Sequence, residues 1–139
     1  MKQDIPFEPV VGVSIAIVPD ADATGEGDQP TWQVFLLNNN DFALSTVLIA
    51  SEGYGTQPDG QVVRTTTLRY HFPEIEPHSA TPVELIDPAV FHLTNQYWVS
   101  YYQEGRIFDK KFLFVPDSIT PDNFSRLDLL GGQAGVLHG

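Results

Sequence analysis

Residues 31–51 read TWQVFLLNNNDFALSTVLIAS, two apolar runs on either side of the polar tetrad Asn38, Asn39, Asn40 and Asp41. The runs are short, rich in Val, Leu and Phe, and bounded by turn formers, which is strand composition. Neither run carries a helix cap. Asn and Asp tolerate left-handed backbone, so the stretch predicts a central hairpin with strands over 31–38 and 42–50. In the first run Trp32, Val34 and Leu36 share one face, and Phe35 and Leu37 the other. In the second, Phe42, Leu44 and Leu48 alternate with Ala43, Val47 and Ile49. Both faces are apolar, whereas a strand of a two-layer protein commonly leaves one face to solvent. The second face therefore needs a cover. The candidates are a second copy in a symmetric dimer and the C-terminal segment 120–130.

Working outward, five more strands are expected. Over 10–18, Val11, Val13, Ile15 and Ile17 alternate with Gly12, Ser14 and Ala16, a half-buried strand with small residues outward, ended by Pro19. Residues 61–72 form the longest candidate, and its Thr65–Thr66–Thr67 run suits a partly solvated edge. Residues 80–86 place Thr81, Val83 and Leu85 on one side, with Pro82 marking an edge. Residues 96–103 and 106–115 make a second hairpin about Glu104–Gly105. There Tyr97, Val99 and Tyr101 oppose Trp98 and Tyr102, and Phe108, Phe112 and Phe114 share a face of the return strand. Asp87–Pro88 is a helix cap followed by its first position, opening one or two turns that point Phe91 and Leu93 inward. Thr120–Pro121–Asp122 is another such start, predicting a two-turn helix that stops at Gly131–Gly132 before a signal-free tail.

Seven strands with these spacings predict an all-β chain, a two-sheet antiparallel sandwich. The expected arrangement is immunoglobulin-like, with a jelly roll as the alternative, plus a short C-terminal helix. No connection holds a helix long enough for a βαβ unit. The 139 residues suit one domain, with core strands over about 10–115 and a helical segment and tail over 117–139.

Composition narrows the function. There is no Cys, so disulfides, thiolate chemistry and Cys-ligated metals are excluded. Net charge is −11, and residues 1–60 contribute nine acids against a single Lys. Such a surface repels nucleic-acid backbones and anionic membranes, so neither is an expected partner. The N-terminal MKQDIPFEPV lacks an apolar leader segment, and a cytoplasmic location is the expectation.

Residues 19–30 place Asp20, Asp22, Thr24, Glu26 and Asp28 at alternating positions around Gly25, partly matching a calcium loop. The twelfth position is Thr31 rather than a bidentate Glu and no flanking helices are expected, so the stretch reads first as an exposed acidic loop. His71, Glu74, Glu76 and His78 gather metal-capable atoms without a ligand spacing, and read as surface groups around a turn. No cofactor is expected. Nucleophile-elbow and phosphate-loop motifs are absent. The first functional reading is a non-catalytic protein-interaction or structural module, with self-association as one form of it. The alternatives are a carbohydrate or other small-ligand module using Tyr54, Trp98, Tyr101 and Tyr102, and a hydrolase with no recognisable motif.

Overall fold

The chain changes sheets at Asn38. The computed structural model, which describes residues 9–24 and 30–139, places β1 (Val13–Thr24) and β2 (Pro30–Asn38) side by side in one sheet and β3 (Leu44–Thr56) in another. The predicted hairpin across the Asn tetrad is thus a corner between two layers. Asn38 is fully buried. Its Nδ2 donates to the carbonyls of Phe42 and Glu76, both at 3.0 Å, and its Oδ1 accepts from the backbone N–H and the Nδ2 of Asn40, both at 3.1 Å. All four hydrogen-bonding capacities of the amide are used, which is what lets it be buried. Asn39 N–H donates to Gly12 and Asn40 Nδ2 to Val11, so the corner also grips the chain ahead of β1. A two-residue turn makes no such demands. Those partners lie far away in sequence, so the tetrad alone could not distinguish corner from hairpin.

The remaining strands are β4 (Val62–Arg64), β5 (Leu68–Ile75), β6 (Ser79–Ile86), β7 (Thr94–Gln103), β8 (Arg106–Phe114), β9 (Phe124–Leu127) and β10 (Gln133–His138). They complete two antiparallel five-stranded sheets packed as an open sandwich. The first runs β6-β2-β1-β10-β9. In the second, β3 pairs with β4 and then β5 along one edge and with β7 along the other, and β7 pairs with β8. Ile15, Ile17, Val34 and Leu36 from the first sheet meet Leu44, Val47, Ile49, Tyr97, Val99 and Phe112 from the second to form the core. The second hairpin forms as expected. Glu104 and Gly105 both have positive φ, the backbone a two-residue turn needs, and Gln103 pairs with Arg106.

Irregularities in the ladders account for several departures from strict alternation. Thr46, at φ 50°, sits where the register with β7 shifts, so Leu44 is buried while Leu48 is 49% exposed, on opposite faces rather than one. In β6, Phe35 pairs with Pro82 and Val34 with Glu84, leaving Val83 as the extra residue of a bulge. Val83 and Glu84 then both turn inward and Leu85 outward, against the predicted shared face of Val83 and Leu85. The predicted strand 61–72 is broken. Glu52 and Gly53 of β3 lie opposite Thr65, Thr66 and Thr67, between β4 and β5. Pro19 does not end β1, which continues to Thr24 with a register shift beyond Pro19.

The C-terminal segment is not a helix. A single 3₁₀ turn at Pro121–Asn123 leads into β9, a second at Asp128–Leu130 leads out, and the tail residues form β10 between β1 and β9. Thr120 makes no side-chain capping bond. The tail takes the free edge of β1, where Ile15, Ala16 and Ile17 pair with His138, Leu137 and Val136, and β9 then pairs with β10 from Phe124 to Leu127, which a helix over 120–130 could not do. The β9–β10 loop then folds over the outer face of the first sheet. Leu127, Leu129 and Leu130 pack there on Ala16, Val18, Phe35 and Leu37. That contact covers the second apolar face of β2. It also buries the side of β1 that the sequence assigned to solvent: Ala16 is fully buried and Ser14 nearly so.

Candidate functional site

Two places concentrate chemistry, a cleft between the sheets and the outer face of the second sheet. The cleft is centred on Glu84, which the β6 bulge aims inward. Its Oε1 accepts from Ser51 Oγ at 2.9 Å and from Tyr70 OH at 2.6 Å, and its Oε2 accepts from Tyr97 OH at 2.9 Å. Its backbone carbonyl accepts from Gln33 Nε2 at 2.8 Å. The break at Thr65–Thr67 opens the sheet edge above it, leaving a hollow of about 290 Å³ that reaches Gly53, Asp87 and Asn95.

Burial, and then the hydrogen bond and charge of Glu84, push Tyr70 up to about 12. Burial and the same carboxylate raise Tyr97 well above its ordinary value. Both phenols therefore stay neutral donors to a higher pH than an ordinary tyrosine, a state that suits bracing and not nucleophilic attack. Both oxygens of Glu84 are already engaged by the opposite sheet. The arrangement ties β6 to β3, β5 and β7.

The outer face of the second sheet differs in kind. Cross-strand pairing lines up Arg69, Ala50, Trp98 and Lys111 as one rung across β5, β3, β7 and β8. The neighbouring rungs are His71, Leu48, Ser100 and Asp109 on one side, and Glu52, Gln96 and Leu113 on the other. Trp98 is 43% exposed, as is Tyr102. Asp109 Oδ1 accepts from the indole Nε1 at 2.6 Å, and Lys111 Nζ lies 4.5 Å from the ring centroid, so the indole is held from two directions. Ala50 is small, and two shallow hollows of about 270 and 200 Å³ flank it, each bordered by Ala50, Arg69 and Trp98. Among the described residues Arg69 forms no ion pair, whereas Arg64 is paired with Glu52 at 3.1 Å.

The four aromatics singled out in the sequence are separated by the fold. Trp98 and Tyr102 stand on the outer face. Tyr101 is 2% exposed and stacks on Phe108 in the core, with ring centroids 4.9 Å apart. Tyr54 lies on the β4 side of the sheet, under the Arg64 guanidinium at 5.7 Å. Of the calcium-loop residues, Glu26 and Asp28 lie outside the described residues, as do the side chains of Asp22 and Thr24, while Asp20 belongs to β1. Among the described residues no three His, Asp or Glu side chains gather as a metal site. His78 Nε2 instead meets Asp41 Oδ1 at 2.6 Å. No helix among the described residues is long and apolar enough to cross a membrane.

Sequence reasoning passed over Glu84, Ala50, Arg69, Asp109 and Lys111. Period-two alternation puts Trp98 outward, but only strand order sets Arg69 two strands away on the same rung. No family model matches the chain, and no characterised protein matches its sequence.

Proposed function

We propose that the chain is a non-catalytic interaction module of immunoglobulin-like strand order that holds its partner on the outer face of the second sheet. The strand order supports the architecture. β2 neighbours β6 in one layer and β3 neighbours β7 in the other, the positions of strands B, E, C and F in an immunoglobulin domain. The β9–β10 hairpin is an addition beside β1. One observation carries the functional reading. The chain itself covers the middle of the first sheet's outer face, leaving Leu85 and Leu137 exposed singly on separate strands, while the second sheet leaves Leu48, Trp98, Tyr102 and Leu113 between 39% and 49% exposed on one surface. Exposed large side chains on one face, with Trp, Tyr and Arg among them, are the usual makings of a binding surface. The engagement of Glu84 by three hydroxyls supports the non-catalytic part.

Peptide and glycan arrays probed with the full chain and three folded variants test the reading. Binding should be lost in Trp98→Ala and retained in Leu85→Ser, which removes an exposed apolar side chain on β6. Binding that survives Trp98→Ala but fails in Glu84→Gln would move the site to the cleft and overturn the proposal.

A further inference from the structure

The rung Arg69–Ala50–Trp98–Lys111 has a shape and a charge that specify an occupant. Arg69 and Trp98 sit on strands either side of β3, so their backbones are about 9–10 Å apart, two strand spacings. Between them only the Ala50 methyl rises from the sheet, and the gap is open to solvent. Lys111 approaches Trp98 from the β8 side, whereas Ala50 and Arg69 lie on the β3 side. The two hollows meet over Ala50. One is walled by Leu48, Ser100 and Asp109, the other by Glu52, Thr67 and Gln96. Each wall therefore combines the indole with hydrogen-bonding side chains.

A sugar ring makes the same two demands, an apolar C–H face for an aromatic and hydroxyls for amide, hydroxyl and carboxylate partners. A protein partner of ordinary affinity needs a larger and more continuous apolar centre, and here polar residues interrupt the apolar ones on every rung. The guanidinium adds charge. Arg69 has no ion-pair partner among the described residues, in a protein of net charge −11. Its fork matches a carboxylate. A densely charged polyanion would meet repulsion from the rest of the surface, which favours a ligand with isolated carboxylates.

We propose that this rung binds two consecutive residues of an acidic oligosaccharide, a sugar ring lying on Trp98 over Ala50 and a uronate carboxylate pairing with Arg69. The inference rests on the outer face being the binding surface, and it names the ligand class.

The test is a titration of the isotope-labelled full chain, followed by amide and indole N–H signals, with trisaccharides of galacturonate, glucuronate and mannuronate. Each trisaccharide is paired with its fully methyl-esterified neutral form. At least one acid should shift the Trp98 indole signal together with the Ala50 and Arg69 amides, and should bind at least tenfold more tightly than its ester. Arg69→Gln should abolish that tenfold preference, and Trp98→Ala should abolish binding. Both side chains are exposed, and the amide spectrum of each variant reports that it is folded. Equal binding of acid and ester, shifts confined to the Glu84 cleft, or no binding by all three acids at millimolar concentration would overturn the proposal. Should an acidic peptide bind through Trp98 while the sugars do not, the ligand class is wrong and the outer-face reading stands. Should nothing bind through Trp98, both fail.

Discussion

Glu84 shows how one residue can hold two layers together. Replacing it with Leu removes a charged acceptor and leaves Ser51, Tyr70 and Tyr97 without their partner, a loss of about 2–4 kcal/mol for part-buried hydroxyls. Glu84→Gln keeps an acceptor oxygen and should cost about 1 kcal/mol, and urea unfolding of the two variants measures the difference. The tyrosines of this cluster, together with the buried Tyr101, govern alkaline stability. Tyr70 and Tyr101 are pushed up to about 12 and Tyr97 is raised as well, whereas the unfolded phenols ionise near 10. Stability is full below about 10 and should fall as pH rises towards 12, because the unfolded state gives up its protons first. Denaturation curves across that window, with phenolate absorbance followed in parallel, test this; unchanged stability would contradict it. On the acid side, burial and then the Lys110 charge hold His138 below its ordinary 6.5. Its contribution is complete above about 6.5 and declines as pH falls towards the lower folded value, and His138→Gln should flatten that part of the profile.

Among the elements, the β9–β10 hairpin depends most on context. Gly135 lies where an added Cβ would meet the Val18 side chain and come within 2.9 Å of the Ile17 carbonyl, so the strand can approach β1 only with glycine there. Gly135→Val should destabilise the fold by several kcal/mol, with thermal unfolding as the measure. The loop over the outer face can be tested separately. Leu129→Asp with Leu130→Asp should lift it from Phe35 and Leu37 and produce binding of a hydrophobic dye without loss of strand content. An unchanged dye response would show that the leucines do not shield that face. The element also marks where local signals fail. Thr120–Pro121–Asp122 does open a helical turn and Gly131 does supply positive φ at its close, but the residues between them extend into strand to pair with β10. Asp87–Pro88, with the same signals, gives its short 3₁₀ turn as read, the Asp87 carboxylate accepting from Ala89 N–H at 2.8 Å.

For the molecule as a whole, self-association turns on which outer face is bare. The cover over β2 removes the strongest reason for a dimer through the first sheet, and the second sheet's face is interrupted by polar side chains. We expect sedimentation velocity to report a monomer at tens of micromolar; a dimer dissolved by Trp98→Ala would instead assign the outer face of the second sheet to a second copy. The sequence by itself determined the class of fold, the approximate position of most strands, the β7–β8 hairpin, and the inward set Tyr97, Val99 and Tyr101 against outward Trp98 and Tyr102. These follow from period-two alternation and turn chemistry, which act over a few residues. Tertiary structure alone decided that the Asn tetrad is a corner, because the partners of Asn38 include Glu76. It decided that Glu84 faces inward, because a bulge opposite β2 resets the alternation. It placed Arg69 on the same rung as Trp98, because strand order is set by non-local pairing, and it made the tail a strand, because the unpaired edge of β1 exists only after the sheet has formed.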